Sequence, residues 1–235
     1  MHTASTTALA TILRNEVVHL EGVSRFAPSR RFASLFSDSS PSDSLYFLDS
    51  GLVKLYKRGE DGKEIILRIV APGELFGEQA LLGDDARDVR HVSAEVLQEG
   101  VIYVIPRAVF LAWGETRAHV WRLLAETLTA RQRELEKKVE LLCLHDVEYR
   151  ILYYLCELAT LVGSRNDGPQ EYSIPLSQSE LASLIGATRE TTSTTLNSLA
   201  RRGLVQLGRR LLIISSVDHV RNAAAQRSVQ AAGNS

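Results

Sequence analysis

"ATRETTSTTLNSLARRGLV" (residues 187–205) is the stretch on which the reading of this chain turns. Thr192, Leu196 and Leu199 recur at helical spacing and form an inward stripe. Arg189, Glu190, Ser193, Thr194 and Asn197 are left facing outward. Threonine is a mediocre helix former, costing roughly a few tenths of a kcal/mol against alanine. Thr191, Thr192, Thr194 and Thr195 therefore need another reason to be there. A helix that enters a major groove supplies one, because it needs short donors and acceptors near its N-terminal end. Arg189 can grip a guanine through two parallel bonds, and Glu190 can accept from a cytosine amino group. Ser193, Thr194 and Asn197 can reach base edges, thymine methyls or phosphates.

The flanking residues agree. In "PLSQSELASLIG" (175–186) Ser177 is placed as an N-cap with Glu180 three residues on, a capping box, and Leu176 and Leu181 sit where a hydrophobic staple belongs. Gly186 occupies the position of a left-handed helix end, and Thr188 can cap the next helix. "GLVQLGRRLLII" (203–214) then reads as two strands joined across Gly208-Arg209-Arg210. Helix, tight turn, helix and β-hairpin make a winged helix-turn-helix. Ser177 and Thr188 stand at helix starts near the DNA, while Arg201, Arg202, Arg209 and Arg210 can meet phosphates without reading sequence. The plainer alternatives are a Glu190 that serves only the helix dipole, arginines on a solvated face, and a winged helix used for protein contact.

The chain as a whole sets the bounds. Its 235 residues allow about two domains. A net charge of −1 with 23% charged residues excludes a polybasic protein. Residues 145–235 carry 9 Lys and Arg against 8 Asp and Glu, so a nucleic-acid site there must be focused. No apolar run approaches the ~18 residues of a membrane span, and the N-terminus lacks the pattern of a secretory signal. Cys143 and Cys156, the two cysteines, have neither metal-ligand spacing nor a disulfide framework. A cytoplasmic protein without membrane contact is expected.

Residues 9–20 suggest a lead-in helix. From Arg30 to Pro106 short alternating segments are separated by turn residues: Leu45–Leu48, Leu52–Lys57, Glu64–Val70, His91–Val96 and Gly100–Ile105, with Asp61-Gly62 as a hairpin signal. Such spacing predicts an antiparallel barrel or sandwich. From Thr116 to Leu144 there is no Pro or Gly, and Trp121, Leu124, Leu128, Leu135 and Leu142 form a heptad-like seam interrupted by Arg131 and Lys138. That seam predicts a parallel homodimer, the alternative being packing on its own barrel. Residues 146–162 form a further helix, 163–171 a loop, and the tail after Ala225 is expected to fray. The expected fold is α+β, with a β-roll in 1–114, a dimerisation helix in 115–145 and the winged helix-turn-helix in 146–235.

Over residues ~16–224 the chain resembles transcription regulators of the CRP/FNR family. "ATRETTSTTLNSLARRGLV" resembles their recognition segment and "LHDVEYRI" their junction between dimer helix and DNA-binding domain; "YFLDSGLVKLY…DGKEIILRIVAPGELFGEQALL" is similar to their cyclic-nucleotide-binding, jelly-roll domain. The resemblance implies a homodimer that binds double-stranded promoter DNA at a palindromic site and contacts RNA polymerase, for which the loop Gly163–Glu171 is the candidate surface. Thr194 stands where many members carry a second arginine, so the half-site is expected to depart from the TGTGA-like one there.

The resemblance also locates a candidate effector site. "PGELFGEQALL" (72–82) looks like the family's phosphate-binding cassette, with Gly77, Glu78 and Gln79 at its centre. In members that bind cyclic AMP an Arg followed by Ser or Thr neutralises the phosphate; this chain has Asp88 and Val89 instead. Arg131 matches a family position facing the pocket, but Leu135 and Glu136 replace the following Ser/Thr pair. A regulator with no cofactor and no cyclic AMP dependence is therefore expected. The alternative is a cyclic nucleotide or cyclic di-GMP held by Gly77, Glu78, Arg87, Arg90 and Arg131, and a remoter one is a nucleotide-binding subunit acting on a partner protein. Two cysteines are too few for an iron–sulfur cluster. The scattered histidines (2, 19, 91, 119, 145 and 219) give no paired metal ligands, so no metal and no enzymatic activity are expected.

Overall fold

The computed structural model describes residues 4–28, 30–82, 89–162 and 171–233. The chain divides into two compact units, residues 2–134 and 135–235, with the boundary inside the long helix rather than at either of its ends.

The first unit opens with helix α1 (Ala4–Asn15) and a 3-10 turn at Val17–His19, earlier than the lead-in helix read from sequence. An antiparallel sheet follows: β1 (Ser24–Phe26), β2 (Ser34–Phe36), β3 (Ser44–Arg58), β4 (Glu64–Val70), β5 (Glu74–Phe76) and β6 (Ser93–Pro106). The order is β1-β6-β3-β4, with β2 also on β6 and β5 on β3. The segments Leu45–Leu48 and Leu52–Lys57, expected as separate strands, are one bent strand, and so are the two expected within 91–105. The reason is local. Gly51 takes a φ of +92°, and a Cβ there would lie 2.6 Å from the Gln98 carbonyl oxygen; one on Gly100 would lie 1.9 Å from that of Ser50. The two long strands thus kink together where neither has a side chain, bending the sheet without a reversal.

Period-two alternation divides the core. Leu45 and Phe47 pack with Leu9, Leu13, Leu75 and Ile105, whereas Tyr46 and Leu48 pack with Phe36, Phe76, Val96 and Ile102. Buried Lys54 pins β3 to both neighbours through Glu64 at 2.6 Å and Glu95 at 3.1 Å. Helix α2 (Arg107–Gly114), not anticipated from sequence, carries Phe110 and Trp113 onto the roll. Helix α3 (Ala118–Leu144) follows.

In the second unit, α4 (Val147–Val162) buries Ile151, Leu152, Leu155 and Leu158. Strand β7 (Tyr172–Ile174), helices α5 (Gln178–Ile185) and α6 (Arg189–Arg201), strands β8 (Gln206–Gly208) and β9 (Leu211–Ile214), and helix α7 (Val217–Gly233) complete it. The sheet order is β7-β9-β8. The tail expected to fray after Ala225 continues as helix. No Gly or Pro interrupts residues 217–232, alanine is the best helix former, and Arg227 Nη2 lies 2.6 Å from Asp146.

Candidate nucleic-acid interface

The helix-turn-helix forms as its sequence requires. Ser177 Oγ accepts the Glu180 amide at 3.2 Å, and Glu180 Oε2 accepts the Ser177 amide at 2.6 Å, closing the capping box. Leu176 and Leu181 are both buried. Gly186 ends α5 at φ +63°, ψ +41°. A Cβ there would sit 2.6 Å from Leu142 Cδ2, so glycine answers both the backbone angle and the close approach of α3. After two residues Thr188 caps α6, its Oγ1 accepting the Thr191 amide at 3.1 Å.

The threonines divide into two groups. Thr192 is fully buried beside Leu196 and Leu199, and its hydroxyl donates to the Thr188 carbonyl at 2.8 Å. Thr195 donates to the Thr191 carbonyl, also at 2.8 Å, and the hydroxyls of Thr191 and Thr188 bond each other. These serve the helix itself. Arg189, Glu190, Thr194 and Asn197 are exposed and Ser193 half-buried on the outer face.

The basic residues also divide. Arg201, Arg209 and Arg210 are exposed, and Arg210 adopts φ +57° in the two-residue turn between β8 and β9. Arg202 is engaged by Glu148 at 2.6 Å at the end of α6, so it first ties α6 to α4. Ser177 is half-buried in its capping box.

The candidate effector residues lie in the first unit. Gly77 is left-handed at φ +75° and starts a 3-10 turn over Glu78–Leu81. Glu78 Oε1 meets Arg131 Nη1 at 2.9 Å, and Arg131 Nη2 donates to the Leu75 carbonyl. Burial and the nearby Arg68 guanidinium push the Arg131 pKa down, against the pull of Glu78, Glu74 and Glu134. Gln79 accepts from the His91 amide at 3.4 Å. Arg90, 1% exposed, lies over Phe36 (4.1 Å to the ring centroid) and Tyr46 (5.1 Å) and donates to the Ser44 carbonyl at 2.7 Å. Its Nη1 is 2.9 Å from where a Gly77 Cβ would be, so a side chain at residue 77 would collide with it. Arg87, Asp88 and the loop from Gly163 to residue 170 lie outside the described residues.

The five seam residues do not share one role. Leu124 is buried in the core of the first unit, and Trp121 packs edge-to-face on Phe110 at 5.8 Å, its Nε1 donating to Gly114 O. Leu142 packs under Gly186. Trp121, Leu124 and Leu142, expected on the dimer face, are thus engaged in packing within their own units, Leu124 fully and the other two in part. Leu128, Leu135 and, not picked out from sequence, Val139 remain 38%, 51% and 60% exposed. Also missed were Lys138 and Arg150, which reach the end of α5; the signal for Lys138 was its interruption of the seam.

Among the described residues no cluster of His, Cys, Asp or Glu could hold a metal ion, and no helix is long and apolar enough to cross a membrane. Cys143 is exposed; Cys156 is partly buried, which pushes its thiol pKa up.

Residues 30–117 match the cyclic nucleotide-binding domain family and residues 149–222 the Crp-like helix-turn-helix domain family. The CRP-like cAMP-activated global transcriptional regulator of Mycobacterium tuberculosis is 30% identical over 191 residues, covering 81% of this chain and 84% of that one. The cyclic AMP receptor protein of Thermus thermophilus is 32% identical over 174 residues, 74% of this chain and 76% of that one. The crystal structure of a CRP-family transcriptional regulator, also from Thermus thermophilus, superposes with a TM-score of 0.72 at 26% identity, covering 86% of this chain and 96% of that one.

Proposed function

Since the chain belongs to the CRP/FNR family of DNA-binding transcription regulators, we propose that it works in the cytoplasm as a homodimer on a palindromic promoter site, without requiring cyclic AMP. The observation that carries the reading is the recognition helix. Capped by Thr188 and anchored by Thr192, Leu196 and Leu199, α6 presents Arg189, Glu190, Thr194 and Asn197 to one side. Arg189 and Glu190 read bases; Ser193, Thr194 and Asn197 add base-edge or phosphate contacts; Arg201, Arg209 and Arg210 hold the backbone.

Dimerisation runs through the exposed apolar residues Leu128, Leu135 and Val139, spaced by 7 and 4 along α3. Two recognition helices related by a two-fold axis call for a palindrome. RNA polymerase is the partner that makes such a dimer a regulator.

Independence from cyclic AMP rests on charge. Glu78, at the centre of the candidate cassette, is paired with Arg131. Asp88 stands where a phosphate-binding arginine is expected, and a carboxylate repels a phosphate. The names of the Mycobacterium and Thermus relatives favour the opposite reading, an effector pocket for cyclic AMP. Binding of purified protein to a duplex enriched from a random pool, at ~0.15 M salt, separates the two. Discrimination of ~10³-fold over non-specific DNA without nucleotide supports the proposal; weak binding restored by cyclic AMP overturns its effector part, and restoration by cyclic GMP or cyclic di-GMP alone selects the alternative of another nucleotide effector.

A further inference from the structure

The turn that aims the recognition helix is gripped from two sides. α5 is only eight residues long, and its last carbonyls have no partner within the helix. Lys138 Nζ, on α3, donates to the Leu184 carbonyl at 2.9 Å. Arg150 Nη1, on α4, donates to the Ile185 carbonyl at 2.6 Å. Leu142, one turn beyond Lys138, presses on Gly186. Two cations thus sit on consecutive carbonyls at the negative end of the α5 dipole, immediately before the turn into α6. Lys138 does this from a buried position, 6% exposed, over the Tyr154 ring at 5.5 Å.

Stability alone does not account for a lysine there. Burial pushes its pKa down from 10.5 to about 8, so at neutral pH the fold holds a charge that it disfavours. In some proteins a buried charge or polar group of this kind specifies a geometry, as a buried asparagine fixes helix register. We infer that Lys138 is a positioning residue: by holding the end of α5 it transmits the orientation of α3 to the turn and so to the base-reading face of α6. The inference rests on the recognition-helix reading above and adds the element that aims it.

Other titratable groups nearby are already engaged. Arg150 holds the next carbonyl, and Glu180, one turn back on α5, is bonded to the Ser177 amide. Lys137 on α3 pairs with Glu140 at 2.6 Å. Burial by itself lowers the Lys138 pKa.

The test compares wild type with Lys138→Met on a duplex enriched by the wild type and on a scrambled duplex, from pH 7 to pH 9.5. At pH 7 the variant is expected to bind the enriched duplex roughly five- to tenfold more weakly, within the usual range of coupling between elements. Binding to the scrambled duplex and its salt dependence stay unchanged, because Lys138 touches no phosphate. As pH rises through about 8, wild-type affinity for the enriched duplex falls toward that of the variant. Stability moves the other way: with the folded pKa below the unfolded one, the penalty for the buried charge is relieved between these values as pH rises. A Lys138→Met protein that melts no lower than wild type yet loses discrimination supports the positioning role. Equal affinities at pH 7, or a wild-type to variant ratio constant up to pH 9.5, overturn it. If the wild type itself enriches no sequence, the regulator reading fails first and carries this one with it. The wild-type pH titration stands even if the variant does not fold.

Discussion

Glu78 and Arg131 form an ion pair of 2.9 Å inside the first unit, both side chains largely enclosed. The two residues most readily read as ligand contacts therefore already satisfy each other. Removing Glu78 takes away the ion-pair partner of an enclosed guanidinium that also faces Arg68, leaving it the Leu75 carbonyl and the fields of Glu74 and Glu134. Glu78→Ala is expected to lower stability by about 3 kcal/mol, whereas Glu78→Gln with Arg131→Met is expected to cost far less. Urea denaturation of both variants measures this. A Glu78→Ala protein as stable as wild type would mean that the pair is incidental and the carboxylate is held in reserve for a ligand.

On the DNA side, base readers and phosphate holders have different signatures. Arg189→Ala is expected to cost about 1–3 kcal/mol on the preferred duplex and to relax preference at one base pair. Arg209→Ala, on the wing, weakens all duplexes alike and reduces the salt slope by about 0.9. Anisotropy titrations at several salt concentrations distinguish them. A uniform loss from Arg189→Ala would remove that residue from the base-reading set.

Legibility in the sequence followed the range of the interactions. The capping box at Ser177 and Glu180, the left-handed Gly186, the Thr188 cap and the Thr192–Leu196–Leu199 stripe are set within a few residues, and all appear as read. The joint kink at Gly51 and Gly100 was not legible, because both glycines lie against the backbone of the strand opposite, a contact that no local pattern shows. The seam on α3 was legible as apolar but not by destination. Leu124, Leu128 and Leu142 look alike in sequence, yet one fills the first unit's core, one stays exposed and one lies under Gly186. Arg202, read as a phosphate contact, also pairs with Glu148, 54 positions away, a partner that no local pattern shows.

The exposed part of that seam makes a prediction of its own. Leu135→Glu with Val139→Lys places charge on the proposed dimer face without touching Leu124 or Leu142. Sedimentation velocity is expected to show a folded monomer, with affinity for a palindromic duplex reduced by at least roughly 10²-fold, since linking two half-site contacts raises avidity by about 10²–10⁴. A double variant that remains dimeric would move the interface elsewhere.

Asp146 offers a pH-dependent test of the second unit. Its Oδ1 accepts the Tyr149 amide at 2.9 Å at the start of α4, and its Oδ2 pairs with Arg227. Partial burial pushes its pKa up, but the Tyr149 amide and the Arg227 guanidinium outweigh this and hold it below the usual aspartate value. The folded pKa is thus below the unfolded one. The contribution to stability is present above the unfolded value of about 3.9 and disappears as pH falls through the folded one. Asp146→Ala is expected to cost about 1 kcal/mol at pH 7, the usual worth of an N-cap. The gap from wild type should narrow below about pH 4 and nearly close once the carboxyl is protonated in both states. Urea unfolding at pH 7 and over a series of acidic pH values reads the difference directly. A gap that stays constant into acid would assign the loss to packing of α4 against α7 and not to the carboxylate.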